Sequence, residues 1–153
     1  MAFASGELFI VGKPSSSGQA EVLEVNMTDG SLVREISLGN VSWAGVFNLG
    51  GKPYVATTIG NETVMYQVVN GSLSRVAAVP VGVPAYPWFY YDPYHYVLFF
   101  TPMQGGTNVT AVRSSGVTSY FLKGQVVEAS DGNLLLNESG NASLIVLDDY
   151  GNS

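Results

Sequence analysis

Cysteine is absent from this 153-residue chain, histidine occurs once, and only 12% of the residues are charged. Without cysteine there is no disulfide framework and no thiol nucleophile, and a single histidine argues against a zinc site. The six lysines and arginines are scattered one at a time, so they do not form the clustered positive surface that phosphate binding requires. The composition therefore predicts no metal, no cofactor and no nucleic-acid partner.

Long uninterrupted apolar runs are also absent. The longest weakly polar stretch, residues 76–91, contains Pro80, Pro84 and Pro87, and proline at that density breaks a membrane-spanning helix. Residues 1–12 lack the positive region and the long apolar region of an export signal. We expect no transmembrane segment in this chain.

Side chains suited to catalysis are few, and none forms a recognisable set. For His95, the only histidine, the sequence identifies neither a nucleophile nor a carboxylate to orient it. Asp131-Gly132 and Asp148-Asp149 offer oxygen ligands that suit calcium, but Asp-Gly is also a common hairpin turn. The sequence predicts no catalytic residue, no metal site and no enzyme.

The chain contains a clear excess of the acceptor pattern for N-linked sugar, Asn-x-Ser/Thr. Seven of its ten asparagines head such a triplet, whereas random placement predicts about 1.6. The excess predicts an extracellular, N-glycosylated protein of a cell surface, prokaryotic and by preference archaeal. The alternative is that a chain rich in serine and threonine forms the pattern by chance. The acceptors are Asn26, Asn40, Asn61, Asn70, Asn108, Asn137 and Asn141.

The apolar pattern predicts strands throughout the chain. We find no window of about a dozen residues that is free of glycine and proline and has the apolar period of a helix. Short runs of β-branched, aliphatic and aromatic residues instead recur between clusters of Gly, Asn, Asp and Pro. The sequence predicts an all-β antiparallel meander of about fourteen short strands. They cover residues 7–12, 20–26, 31–38, 42–49, 53–59, 63–69, 72–79, 87–91, 95–101, 107–113, 117–123, 125–130, 133–137 and 142–148.

The predicted strands recur in units. Residues 30–32 and 71–73 both read Gly-Ser-Leu, and Arg34 aligns with Arg75. The period of about 42 residues, with four strands a, b, c and d in each unit, resembles the blades of β-propeller repeat families. This resemblance of pattern implies a partial β-propeller, because about three and a half units do not close a ring. The alternative is a β-sandwich or jelly roll. The chain is interpreted as a single all-β domain, 1–153, or a fragment of a larger repeat domain, with units at approximately 7–49, 53–91, 95–130 and 133–153.

The predicted a strands are 42–49, 87–91 and 125–130, and the b strands are 7–12, 53–59, 95–101 and 133–137. The c strands are 20–26, 63–69, 107–113 and 142–148, and the d strands are 31–38, 72–79 and 117–123. This phasing assigns each acceptor asparagine to a connection between strands. In an up-and-down unit the b–c and d–a connections share one end of the sheet, so five acceptors are expected there: Asn40, Asn61, Asn108, Asn137 and Asn141. The acceptors Asn26 and Asn70 fall at c–d turns, and no acceptor falls at an a–b turn. Two-residue type I′ turns are predicted for the c–d connections at Asp29-Gly30 and Asn70-Gly71.

The segment 85–100 has the highest density of aromatic residues. Exposed tyrosine and tryptophan rings there would form a surface for a sugar or a partner protein. The alternative is core packing, because alternation along a strand sends about half of the rings inward. The candidate ligand-binding or partner-binding aromatics are Tyr86, Trp88, Tyr90, Tyr94 and Tyr96.

Together these patterns predict a non-enzymatic, extracellular, N-glycosylated surface protein that acts as a coat, adhesion or assembly module. Its expected partners are other surface proteins or copies of itself, besides covalent N-glycans. One alternative is an extracellular filament or pilus subunit that pairs the edges of its sheets. Another is a secreted carbohydrate-binding or carbohydrate-active module, for which cleavage needs paired carboxylates across a cleft.

Overall fold

A computed structural model of the chain describes residues 1–12, 19–82 and 89–148, which leaves Tyr86, Trp88 and Asp149 outside the described residues. Fifteen strands and no helix occur in these ranges, which confirms the all-β prediction. The additional strand is β1, whose three residues are too few to show an alternating pattern. The strands are β1 (Ala2–Ala4), β2 (Glu7–Gly12), β3 (Ala20–Asn26), β4 (Leu32–Gly39), β5 (Trp43–Leu49), β6 (Lys52–Ile59), β7 (Glu62–Val69), β8 (Ser72–Val79), β9 (Phe89–Asp92), β10 (Tyr96–Met103), β11 (Gly106–Arg113), β12 (Gly116–Lys123), β13 (Gln125–Ser130), β14 (Asn133–Glu138) and β15 (Asn141–Val146).

The strands form four antiparallel sheets in chain order. Sheet I contains β1 to β4, sheet II β5 to β8, sheet III β9 to β12, and sheet IV β13 to β15. Within each sheet, strands that follow one another along the chain pair with each other, and no sheet closes on itself. The predicted antiparallel meander of repeated units is therefore confirmed. Among the described residues there is no helix long and apolar enough to cross a membrane.

Consecutive sheets pack face to face. On β6, Val55 packs against sheet I, whereas Tyr54 and Ala56 pack in the core shared with sheet III. On β10, Phe99 packs against sheet II and the next residue, Phe100, packs against sheet IV. Both faces of sheets II and III are thus covered, and the core lies in three layers between four sheets. Because a sandwich has two sheets, this row of four agrees with propeller-like repeats and not with the alternative.

The two predicted c–d turns differ. Asn70 and Gly71 have φ values of 50° and 77°, so this turn has the predicted type I′ form. The prediction is wrong for Asp29-Gly30, where Gly30 is the residue with positive φ and the connection spans residues 27–31. The physical reason lies in the carboxylate of Asp29, which accepts hydrogen bonds from the backbone N and the Oγ of Ser31 at 2.9 and 2.6 Å. These hydrogen bonds hold a longer turn and lower the pKa of Asp29.

A threonine at the start of the third strand ties each central sheet to the chain segment that leaves it. The Thr63 hydroxyl donates to the carbonyl of Val81 at 2.8 Å, and the Thr107 hydroxyl donates to the carbonyl of Gly124 at 2.9 Å. Both threonines are fully buried, and each is the second residue of its strand. The equivalent contacts in sheets II and III fix the direction in which the chain passes to the next sheet.

Replacing Thr107 by valine should lower the free energy of unfolding by about 1 to 2 kcal/mol, because the buried Gly124 carbonyl would lose its donor. Thr101 is the matched control, since its buried Oγ1 has no hydrogen-bond partner. We expect Thr101→Val to leave the free energy unchanged or to raise it. Urea unfolding of the two variants measures the difference. Equal losses in both would contradict a stabilising role for the Thr107 hydrogen bond.

Candidate functional site

The seven acceptor asparagines are accessible to different degrees. Five of them are exposed, and two, Asn26 and Asn108, are half-buried. The side-chain oxygen of Asn26 accepts a hydrogen bond from the backbone N of Thr28 at 2.7 Å. Asn108 lies within β11, between its partners Thr101 and Phe121. The exposed acceptors are Asn40, Asn61, Asn70, Asn137 and Asn141.

Hydrogen bonds place the b–c and d–a connections at one end of the sheets. The backbone N of Ser42, in the connection from sheet I to sheet II, donates to the carbonyl of Thr58 at the end of β6. The backbone N of Gly124 likewise donates to the carbonyl of Gly105, in the b–c turn of sheet III. Asn40, Asn61, Asn108, Asn137 and Asn141 lie in or beside these connections, whereas Asn26 and Asn70 lie at the opposite end.

The candidate aromatic residues do not form one surface. Tyr96 is fully buried, and its ring lies 6.2 Å from the ring of half-buried Tyr90 on the side facing sheet IV. The Tyr90 hydroxyl accepts a hydrogen bond from the backbone N of Gly132 at 3.1 Å, which ties sheet III to sheet IV. Tyr94 is exposed in an a–b turn, where its backbone N donates to the carbonyl of Asn48. Tyr90 and Tyr96 thus stabilise a junction between sheets, and Tyr94 is separate from them.

A polar cavity of about 330 Å³ lies between sheets III and IV at the a–b end. Three carboxylates line it together with Tyr90 and Tyr96. The described residues contain no group of His, Cys, Asp or Glu side chains arranged to hold a metal ion. Beside the cavity, Asp92 Oδ2 lies 3.1 Å from Nδ1 of His95, an exposed pair that the sequence analysis missed although the residues are three apart. The polar lining residues are Tyr90, Asp92, Tyr96, Asp131, Asn133 and Asp148.

A second polar cavity, of about 260 Å³, lies between sheets I and II and contains a pair of carboxyl groups. Burial, a hydrogen bond to Glu7 and the charge of Glu7 raise the pKa of Glu24 to about 7, although the nearby Arg34 guanidinium lowers it. Arg34 Nε lies 2.9 Å from Glu24 Oε2. The sequence analysis missed the Glu7–Glu24 pair because only the β2–β3 register brings these two residues together. Carboxyl groups that share a hydrogen bond are closer than the separation of about 5 Å or more that glycoside hydrolysis uses.

The outer sheets each have one face that no described residue covers. On sheet I, residues facing sheet II alternate with residues facing outward, and the outward set is mostly apolar but includes Glu21, Glu35 and Ser37. We call this set the first open face; its apolar residues are Phe3, Leu8, Ile10, Leu23, Val25 and Leu32. On sheet IV the corresponding last open face contains apolar Leu135, Leu144 and Val146 together with polar Glu128, Asn133 and Asn137. Leu144 and Val146 are 66% and 68% exposed, and Phe3 and Leu32 are 53% and 52% exposed.

Comparisons with known proteins give no relative from which a role could be transferred. No protein-family model matches the chain, and no curated protein is similar to it.

Proposed function

We propose that the chain is a non-enzymatic, extracellular, N-glycosylated surface protein that acts as a coat, adhesion or assembly module. The observation that supports this function is the accessibility of the acceptor sites. None of the seven sequon asparagines is buried, and five are exposed. N-linked sugars are bulky and solubilising and require surface positions, so the exposure of these five acceptors supports attachment there.

The composition supports a cell-surface location, prokaryotic and by preference archaeal. The chain has no cysteine, so disulfides would not stabilise an exported form. Only 12% of its residues are charged. Attached sugars would supply the hydration that a weakly charged surface lacks. Other surface proteins and copies of the same chain are the proposed partners.

Glycopeptide mass spectrometry of protein from a host that attaches N-linked sugars tests the proposal. We expect modification at the exposed acceptors, in particular Asn61, Asn137 and Asn141. Asn133 is the control, because it is partly exposed but heads no sequon, and it should carry no sugar. Unmodified Asn61, Asn137 and Asn141, in a host that glycosylates a reference protein, would reject the glycoprotein function.

An extracellular filament subunit is the second candidate, and it is supported by the outer edge of sheet IV. Sheets I to III have four strands each, whereas sheet IV has three among the described residues, so no described strand fills the fourth position beside β15. An exposed edge of this kind pairs readily with a strand of another chain. Fibres in electron micrographs that disappear when proline replaces Leu144 in β15 would favour this function over the first.

A carbohydrate-binding module is the third candidate, and it is supported by the cavity between sheets III and IV, where tyrosines and carboxylates line the same space. Sugar recognition uses such combinations of ring faces and hydrogen-bonding groups. Retention on a polysaccharide column that is lost in Asp131→Ala but kept in Glu128→Ala would favour this function.

A further inference from the structure

Every junction between consecutive sheets in this chain is built in the same direction. The face of one sheet that looks forward along the chain packs against the backward-looking face of the next. The three layers of core repeat this arrangement between sheets I and II, II and III, and III and IV. The first open face is a backward-looking face, and the last open face is a forward-looking one.

Equivalent positions in the second strand of each sheet demonstrate the repeat. The fourth residue of the strand looks backward: Val55, Phe99 and Leu136 each pack against the preceding sheet, and Ile10 holds this position on the first open face. The third residue looks forward: Phe9, Tyr54 and Leu98 each pack in the core shared with the following sheet, and Leu135 holds this position on the last open face. The two open faces are therefore the two halves of one more junction of the same kind.

We propose that the last open face of one copy packs against the first open face of a second copy, and that two such junctions close a ring of two chains. This inference names the partner for the assembly role proposed above. Two copies supply eight sheets, within the range of four to eight blades known for closed propellers. A two-fold axis through the ring makes the two junctions identical.

Three carboxylates stand on the open faces. Glu128 lies in the first strand of sheet IV, and Glu21 and Glu35 lie in the third and fourth strands of sheet I. Contacts between neighbouring sheets include first strands with first strands and fourth strands with fourth strands, as β1 with β5 and β8 with β12, and also the third strand β11 with the first strand β13. Glu128 and Glu35 would therefore lie at opposite edges of the new junction, and Glu21, the second residue of β3, would lie toward its b–c end.

A sugar on Asn137 would compete with the junction. Asn137 is the fifth residue of β14, and Phe100, the fifth residue of β10, is fully buried against sheet IV. The corresponding position in the proposed junction lies within the packed core. The junction is therefore proposed for copies in which Asn137 carries no sugar.

Light scattering coupled to size-exclusion chromatography tests the proposal on protein from a host without N-glycosylation, so that sugars do not influence the result. The unsubstituted chain should have twice the mass of one copy. The double variants Phe3→Glu/Leu32→Glu and Leu144→Glu/Val146→Glu should each be monomeric and folded, because the four side chains are exposed in the single chain. Phe121→Glu, at an exposed apolar residue of sheet III on neither open face, should keep the dimer.

Mixing the two monomeric variants gives the decisive result. Each keeps one intact face, so the mixture should form a heterodimer through a single junction, while neither variant associates alone. A monomeric unsubstituted chain would overturn the proposal, as would a dimer that withstands the sheet IV substitutions. Masses that grow beyond two copies with concentration would overturn the closed ring. None of these outcomes depends on glycosylation, so failure here is distinguishable from failure of the glycoprotein function.

Discussion

Replacing Phe99 by alanine should lower the free energy of unfolding by about 3 to 5 kcal/mol, the cost typical of truncating a buried phenylalanine. Phe99 is fully buried in the core between sheets II and III, and its ring lies 5.6 Å from that of Phe89. The cavity would open in a core that sheets II and III both line, so it closes only if one sheet shifts against the other. Urea unfolding of the variant measures the loss.

Phe100→Ala provides the matched comparison, because Phe100 is equally buried but packs against sheet IV. In repeat proteins each unit is stabilised by its neighbours, so the two losses should be similar in size and different in location. Hydrogen exchange should show lost protection mainly in β13 to β15 for Phe100→Ala. For Phe99→Ala it should centre on β6 and β10. Indistinguishable exchange patterns would contradict the separate layers of core.

The same strand shows how far the sequence alone predicts this fold. Residues 96–100 were predicted as part of a strand, and they form the start of β10. They are all buried, because sheets cover both faces, and a continuous apolar run contains no alternation from which the facing of each residue could be deduced. The sequence therefore does not predict that Phe99 packs against sheet II and Phe100 against sheet IV. Strand β1 was missed for the opposite reason, since three residues contain too little pattern.

For the candidate sites, the sequence predicts features that depend on neighbouring residues but not contacts that depend on strand pairing. The Asn-x-Ser/Thr motifs can be identified directly from sequence, but the partial burial of Asn108 depends on where β11 begins and on both of its neighbouring strands. Asp92 lies three residues from His95, so a closer examination of that turn could have predicted their contact. Glu7 and Glu24 meet only through strand register, which a bulge or a different turn would have changed.

Replacing Glu24 by glutamine should remove most of the pH dependence of stability between about pH 4.5 and 7. The Glu24 pKa is raised from 4.5 to about 7, chiefly by burial and also by its hydrogen bond to Glu7 and the charge of Glu7. The folded protein therefore holds this proton more tightly than the unfolded chain does. The corresponding stability is fully present below about pH 4.5 and is lost as the pH rises to about 7. The raised pKa corresponds to about 3 kcal/mol.

Glutamine is neutral at every pH, and its amide can donate to Glu7 while its carbonyl oxygen accepts from Arg34. Glu24→Gln should therefore match the unsubstituted protein near pH 4 and exceed its free energy of unfolding by up to about 3 kcal/mol at pH 8. The control is Glu35→Gln on the same sheet, where the side chain is exposed and we expect little change at either pH. Urea unfolding at a series of pH values measures all three proteins. A Glu24→Gln variant that is less stable than the unsubstituted protein at pH 8 would mean that the ion pair with Arg34 outweighs the cost of burying the carboxylate.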